Sequence, residues 1–198
     1  MRQAKAAAAE PLLKVDRKAR ALFKPYRHAA PVKALAWLGQ SGDQLQLRVL
    51  SGTVLALGLA RRDPHMVRAA ARMLVSHELA TLAKKAVKNR VDRWRPRDVG
   101  RGKTVKPKKG HSRAKAKNSF PSGHSAGAMA VACAFAAGYP AHRAAALGAG
   151  GAVSAAQVPT GSHYPSDVVA GAALGVATDA LVGTGWRLAE RLLGRWKR

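Results

Sequence analysis

The chain has one cysteine in 198 residues and only ten acidic side chains against 35 Lys plus Arg. Cys133 lies in the run Val131-Ala132-Cys133-Ala134-Phe135, where a thiol serves as a small apolar side chain. A lone cysteine excludes an internal disulfide and a cysteine-based metal site. The shortage of carboxylates leaves a formal charge of +25 at pH 7, which calls for an anionic partner: nucleic acid, lipid headgroups or a phosphorylated substrate. Residues 1–31 scatter Lys and Arg among alanines without a continuous apolar core, which excludes an ordinary secretory signal. Glu10, Asp16 and the scarcity of serine weigh against a mitochondrial presequence, leaving a basic segment expected on the cytoplasmic side. No composition shift marks a second globular unit. The division expected is a basic N-terminal segment, residues 1–30, followed by one helical domain, residues 31–198.

What the chain does have is small and apolar. Residues 125–141, 144–162 and 168–186 carry no charge except Asp179, and each is expected to span a bilayer. Gly127, Gly148, Gly150, Gly151, Gly171 and Gly175 are spaced among alanines so that helix backbones can approach where lipid gives no hydrophobic drive. Trp94, Trp186 and Trp196 fall near segment ends, as interfacial tryptophans do. Residues 49–60 are uncharged but short of the roughly 20 apolar residues a spanning helix needs. Residues 64–90 read as a partly polar bundle helix with an apolar face of Met66, Met73, Leu74, Leu79, Leu82 and Val87. Residues 91–118 turn to Lys, Arg, Gly and Pro and read as a cationic loop. The fold class expected is all-α: an integral-membrane bundle of about five or six helices with its active site at the helix ends. A soluble Ala-rich bundle is the alternative that the mean hydropathy of −0.16 keeps open.

Three polar clusters sit at segment ends. Lys88 is followed after six residues by Arg95-Pro96, two cations able to grip a phosphoryl group, the arginine bidentately; alone, such a pair is also what a solvated charge run looks like. Pro121-Ser122-Gly123-His124 opens an apolar segment. Ser122 suits an N-cap, Gly123 permits close backbone approach, and a helix N-terminus there offers free N–H groups to an anion faced by His124. The plainer alternative is a structural histidine at a helix start. In His163-Tyr164-Pro165-Ser166-Asp167, Pro165 suits a first helical turn. Asp167 can reach back to fix one ring nitrogen of His163 as N–H and leave the other as a nucleophile. Asp167 as a favourable helix-start charge beside a loop histidine is the competing reading.

In this order and spacing the clusters resemble the type 2 phosphatidic acid phosphatase family, whose fold also underlies the vanadium haloperoxidases. The likeness covers roughly residues 88–172. The family's Lys-x6-Arg-Pro and Pro-Ser-Gly-His are intact. Of Ser-Arg-x5-His-x3-Asp only His163 and Asp167 remain, with Ala156-Gln157 in place of Ser-Arg. The resemblance implies that His163 attacks phosphorus, Asp167 orients it and His124 protonates the leaving oxygen. Lys88, Arg95, Ser122 and the Gly123 amide would bind the phosphoryl oxygens, with no metal and no cofactor. Gln157 is expected to offer amide hydrogen bonds but no charge, and loss of one transition-state donor costs roughly 2.7–4 kcal/mol. A compensating cation from residues 97–117, an unusual substrate and a weakened enzyme all stay open.

The activity this implies is hydrolysis of a lipid phosphomonoester or pyrophosphate, phosphatidate-type or polyprenyl, through a phosphohistidine. The expected setting is the bacterial inner membrane, with anionic lipids as the other partner. If five segments span, residues 1–47 and the 91–118 loop share a face with the turn at 159–162; these carry nine and eleven Lys/Arg against nine on the other face. That count places the site towards the cytoplasm, whereas one more N-terminal span would turn it outwards. The identity of the lipid and the oligomeric state are not legible. Rival readings are a non-catalytic member of the family, a vanadate-dependent halide oxidase on the same fold, and a basic nucleic-acid-binding protein built on Lys103-Thr104-Val105-Lys106-Pro107-Lys108-Lys109. No nucleic acid is expected, since that last reading leaves the ordered motifs unexplained.

Overall fold

The computed structural model describes residues 2–100, 105–112 and 114–196, with side chains described from residue 10 to residue 192. Among the described residues there are seven α-helices. They are α1 (Arg2–Phe23), α2 (Ala30–Gln40), α3 (Gln44–Ala60), α4 (Pro64–Lys88), α5 (Gly123–Gly138), α6 (Arg143–Ala155) and α7 (Pro165–Trp196). The count is slightly above the five or six expected, because the basic N-terminal segment is itself helical. The cationic loop contains a two-residue antiparallel ladder, β1 (Val91–Asp92) on β2 (Lys108–Lys109).

Local chemistry sets the helix starts. Asp63 caps α4, its carboxylate accepting the His65 and Met66 N–H groups at 2.9 and 3.1 Å, and Ser122 caps α5 by accepting Ser125 N–H at 3.3 Å. Pro165 opens α7, where its missing N–H costs nothing. α5 is the central helix, packed on α4, α6 and α7. It buries small side chains on every face, from Ser125 and Ala126 to Ala134 and Ala136, as a helix surrounded by other helices does.

The expected apolar face of α4 is met only in part, with Met66, Leu74, Leu79 and Val87 half-buried. Its buried stripe is Ala69, Ala70, Met73, Ser76, His77, Ala80 and Lys84, while Val75 and Leu82 are exposed; of the large apolar residues expected inside, only Met73 is buried. Large apolar side chains also point outwards from α3 (Leu45, Val49, Leu57, Leu59) and α7 (Val169, Leu181, Leu188, Leu192). Small residues inside and large ones outside is the arrangement lipid permits and water penalises. The single charge within the last apolar segment is satisfied laterally: Asp179 accepts both Arg72 guanidinium donors at 2.9 and 2.8 Å and the Ser76 hydroxyl at 2.9 Å.

Segment lengths correct the sequence reading. Only α7, over Pro165–Leu192 with mean hydropathy 1.5, is both long and apolar enough to cross a membrane among the described residues. α6 has 13 residues, about 20 Å at 1.5 Å per residue, short of the roughly 30 Å hydrocarbon core. The helix ends at Ala155, so the apolar segment expected over 144–162 closes in the turn that carries the third motif. α7 runs on to Trp196, so Trp186 lies well inside a helix; the Trp196 side chain falls outside the described residues.

The glycines divide into two groups. A Cβ on Gly171 would collide with the Ser122 carbonyl and one on Gly175 with the Ala126 carbonyl, so both set the contact of α7 on α5; Gly127 lies against Leu47 and His77, and Gly150 against Ala132. Gly148 and Gly151 meet nothing within 4 Å, contrary to a packing role. Gly175→Val should therefore lower stability by about 1–3 kcal/mol through overpacking. Gly148→Ala should be neutral or stabilising by up to about 1 kcal/mol. Unfolding titrations of the detergent-solubilised variants check the contrast, and equal losses at both positions would contradict it.

Candidate active site

The site lies where the N-terminal ends of α3, α5 and α7 meet the C-terminal ends of α4 and α6. A cavity of about 560 Å³ opens there, lined from the N-terminal segment by Arg27, from α2 by Val32 and Lys33, from α4 by Lys84 and Lys88, and from the cationic loop by Arg95 and Lys115. Gly123, His124, Gln157 and His163 complete it, and among the described residues Asp43 is its one carboxylate. The N-terminal region, the 91–118 loop and the 159–162 turn thus converge on one end of the bundle.

His163 is 1% exposed. Its Nδ1 lies 2.7 Å from the Ser119 carbonyl oxygen; a carbonyl only accepts, so Nδ1 carries the hydrogen and Nε2 keeps its lone pair. The partner that fixes the tautomer is thus the Ser119 carbonyl and not, as expected, Asp167, whose Oδ2 is 3.8 Å from Nδ1. Asp167 is committed elsewhere: Oδ2 accepts the Ser119 hydroxyl at 2.6 Å and the Tyr164 N–H at 2.9 Å, and Oδ1 accepts from Arg93. By fixing Ser119, Asp167 acts on His163 at one remove. Burial pushes the His163 imidazole down to about 4, against the opposing pull of the Asp167 charge and with Arg95 and Lys88 adding to the depression. His163 is accordingly neutral at physiological pH.

His124, in the first turn of α5, has its ring centroid 6.2 Å from that of His163. Its Nε2 donates to Asp43 Oδ1 at 2.7 Å, which places a proton on that nitrogen. Asp43 belongs to none of the three motifs; the turn between α2 and α3 that carries it brings Gly42 within 3.3 Å of the His124 Cβ, measured from where its own Cβ would stand.

The expected phosphate ligands are distributed unequally. Lys88 Nζ donates to the Asn118 carbonyl at 2.8 Å and Arg95 Nε to the Lys115 carbonyl at 3.0 Å, which fixes both; among the described residues the Arg95 Nη groups have no hydrogen-bond partner. Burial lowers the Arg95 pKa. Gly123 lines the cavity. Ser122 is fully buried and lies beneath the lining, where its hydroxyl oxygen accepts from Ser125 at 2.9 Å and its N–H donates to the Asp167 carbonyl at 3.0 Å. Gln157 departs most from expectation. Its amide nitrogen donates to the Gly39 carbonyl at 3.2 Å and the Val153 carbonyl at 3.3 Å. Both amide hydrogens are used in pinning α2 to α6, and none is left for a phosphoryl oxygen. Of the cationic run that suggested nucleic acid, Lys103 and Thr104 lie outside the described residues; Lys106, Lys108 and Lys109 line a separate cleft beside Trp94.

Sequence reasoning also passed over Arg93. It is 2% exposed and donates to Asp16 Oδ2 at 2.5 Å, to Asp167 Oδ1, to the Ser166 hydroxyl at 2.8 Å and to the Val105 carbonyl at 2.9 Å. Its guanidinium also stacks 4.3 Å from the Tyr164 ring centroid. Asp16 accepts the Ser166 N–H at 3.0 Å and its hydroxyl at 2.6 Å, so α1 is clamped onto the start of α7. The available signal was Asp16 itself, one of only two carboxylates in a strongly basic segment.

A helical bundle holding a neutral, tautomer-fixed histidine against a cationic pocket at its helix ends is a class of anion-handling site. The chain belongs to the PAP2 superfamily, whose family model matches residues 69–188. It is 38% identical over 100 residues to the lipid A 1-phosphatase of Rhizobium johnstonii, a match covering 43% of this chain and 40% of that protein. Its fold is similar to that of Aquifex aeolicus LpxE, at a TM-score of 0.62 and 20% identity, covering 83% of this chain and 92% of the other. It is equally similar, at a TM-score of 0.62 and 20% identity, to a transmembrane PAP2-type phosphatidylglycerolphosphate phosphatase from Bacillus subtilis, over 92% and 90% of the two chains.

The clamp on α1 has a measurable consequence. Asp16→Ala removes one partner of a buried pair and should cost about 3–5 kcal/mol in an unfolding titration, with Asp16→Asn intermediate. A loss below about 1 kcal/mol would mean that α1 is dispensable to the bundle.

Proposed function

We propose that the protein is a membrane-embedded phosphatase of lipid phosphates, with His163 as the nucleophile. The observation that carries this reading is the His163 ring: neutral, with its Nδ1 hydrogen committed to a backbone carbonyl, and lining a cavity whose charged side chains, Asp43 apart, are lysines and arginines. Family membership supports a phosphatase. The exposed apolar side chains of α3 and α7 around the bundle support a lipid setting, and the site at the helix ends would then stand at headgroup level. The match to a lipid A 1-phosphatase favours phosphate on a lipid anchor over a soluble metabolite.

In the proposed cycle the phosphoryl group sits against Lys88, Arg95 and the free N–H groups of the first turn of α5. The Nε2 lone pair of His163 forms a bond to phosphorus as the bond to the lipid oxygen breaks. His124, entering the step as the imidazolium, gives a proton to that oxygen and becomes neutral, and the lipid alcohol leaves. A water then attacks the phosphohistidine, its proton passing to His124, and inorganic phosphate departs with His163 restored. Little covalent chemistry is asked of the protein beyond the nucleophile and the proton; positioning and charge do the rest. The Asp43 carboxylate, 2.7 Å from His124 Nε2, favours the imidazolium that the first step needs. No step calls on a metal.

Purified protein in detergent should release phosphate from lipid phosphates and keep that activity in excess EDTA. His163→Ala should fall to background and His124→Ala by about 10²–10⁴-fold; a His163→Ala variant as active as the parent would refute the mechanism. The pH profile adds an independent check. His163 must be neutral to attack, and its depressed pKa of about 4 keeps it so through the mildly acidic range. After correction for ionisation of the substrate, the acid limb of kcat/KM should lie well below the ordinary histidine value of about 6.5. A limb at 6.5 or above would place the nucleophile elsewhere.

A further inference from the structure

Resting on the phosphatase reading, we infer that Lys84 is a substrate-phosphate ligand, supplying from α4 the positive charge that the third motif lacks at Gln157. Lys84 lies one helical turn before Lys88, so the two side chains share a face of α4, and both line the cavity. It is 8% exposed. Among the described residues its ammonium has no hydrogen bond and no ion pair: the cavity carboxylate, Asp43, is held by His124, while Lys88 and Arg95 are each tied to a backbone carbonyl. A buried ammonium without a partner is costly unless an anion comes to it.

The position of Lys84 says where that anion would sit. The side chain crosses directly over Gly123: a Cβ on that glycine would lie 2.9 Å from the Lys84 Cδ and 3.2 Å from its Nζ. The ammonium therefore stands beside the first residue of α5, where the first-turn N–H groups have no intrahelical acceptor. This gives the glycine of Pro-Ser-Gly-His a second duty here, since any side chain would displace the lysine. The other cavity cations fit the part less well. Arg97 is exposed and lies 3.5 Å from the Ser162 hydroxyl, Lys33 and Lys115 are exposed, and Arg27 already donates to the Pro96 carbonyl at 3.0 Å. Lys84 and Arg95 are the buried pair. The compensating charge thus comes from the helix before the cationic loop.

The direct measurement is site-resolved lysine labelling of the unaltered protein by reductive methylation, with and without saturating inorganic phosphate. Labelling at Lys84 should fall severalfold, in parallel with Lys88, while Lys85 on the exposed side of α4 stays unchanged. Protection of Lys88 without Lys84 would overturn the assignment and leave the phosphatase reading standing; protection of neither, with no phosphate release by the parent, would sink both. Kinetics of Lys84→Met and Lys84→Arg read the role itself. Loss of one transition-state donor predicts a fall of about 10²-fold in kcat and weaker inhibition by inorganic phosphate for the methionine, with most of both recovered by the arginine. Parent-like kcat, KM and phosphate inhibition in Lys84→Met would exclude the role.

Discussion

The buried guanidinium of Arg93, shared between Asp16 and Asp167, is the interaction on which the site depends. A charge taken this far out of water survives only with its donors satisfied, and here they are spent on two carboxylates, a serine hydroxyl and a backbone carbonyl. The partners come from three parts of the chain: Asp16 from α1, Val105 from the cationic loop, and Ser166 and Asp167 from the first turn of α7. The same contacts commit Asp167 to a geometry in which it holds the Ser119 hydroxyl, and Ser119 in turn presents its carbonyl to His163. Placement of the His163 ring is the end of a chain of buried polar contacts that starts in the N-terminal helix.

This polar framework sits on a bundle that follows different rules. The interior of α4, α5 and α7 is mostly alanine, glycine and serine, and many of the large aliphatic residues point outwards. Such a core gains little from burying apolar area and relies on close backbone approach, which Gly171 and Gly175 allow. One consequence is precision at the helix ends. With α7 seated against α5 by backbone contact, the first turn of α7 and the Ser122 N-cap are locked together through the Ser122 N–H and the Asp167 carbonyl.

Much of this was legible in the sequence, for physical reasons that can be named. Helix starts at Pro64, Gly123 and Pro165 follow from caps and prolines that act locally, and the ordered motifs brought His124, His163, Lys88 and Arg95 to one cavity as expected. The inward face of α4 was read only in part, because its buried stripe is mostly small and polar residues that a search for large apolar side chains passes over. Lys84 was lost in the same way, as one charge in a basic helix end. Asp43, Asp16 and Arg93 were hidden because their partners are 81, 77 and 77 or 74 positions away in the chain, beyond any local pattern. Gln157 was assigned by its place in a motif; its amide is in fact consumed by Gly39 and Val153.

The account treats His163 as a nucleophile prepared by burial and by a carbonyl, within a site whose charge comes from α4, the cationic loop and the first turn of α5. Its central claim is the covalent intermediate. Rapid acid-free quenching of the protein during turnover of a lipid phosphate labelled in its phosphoryl group, followed by peptide mapping, tests it most directly. The account predicts a base-stable, acid-labile phosphoryl group on the His163 peptide that appears and decays with turnover. Turnover with no labelled peptide at His163, or with the label on another residue, would contradict it.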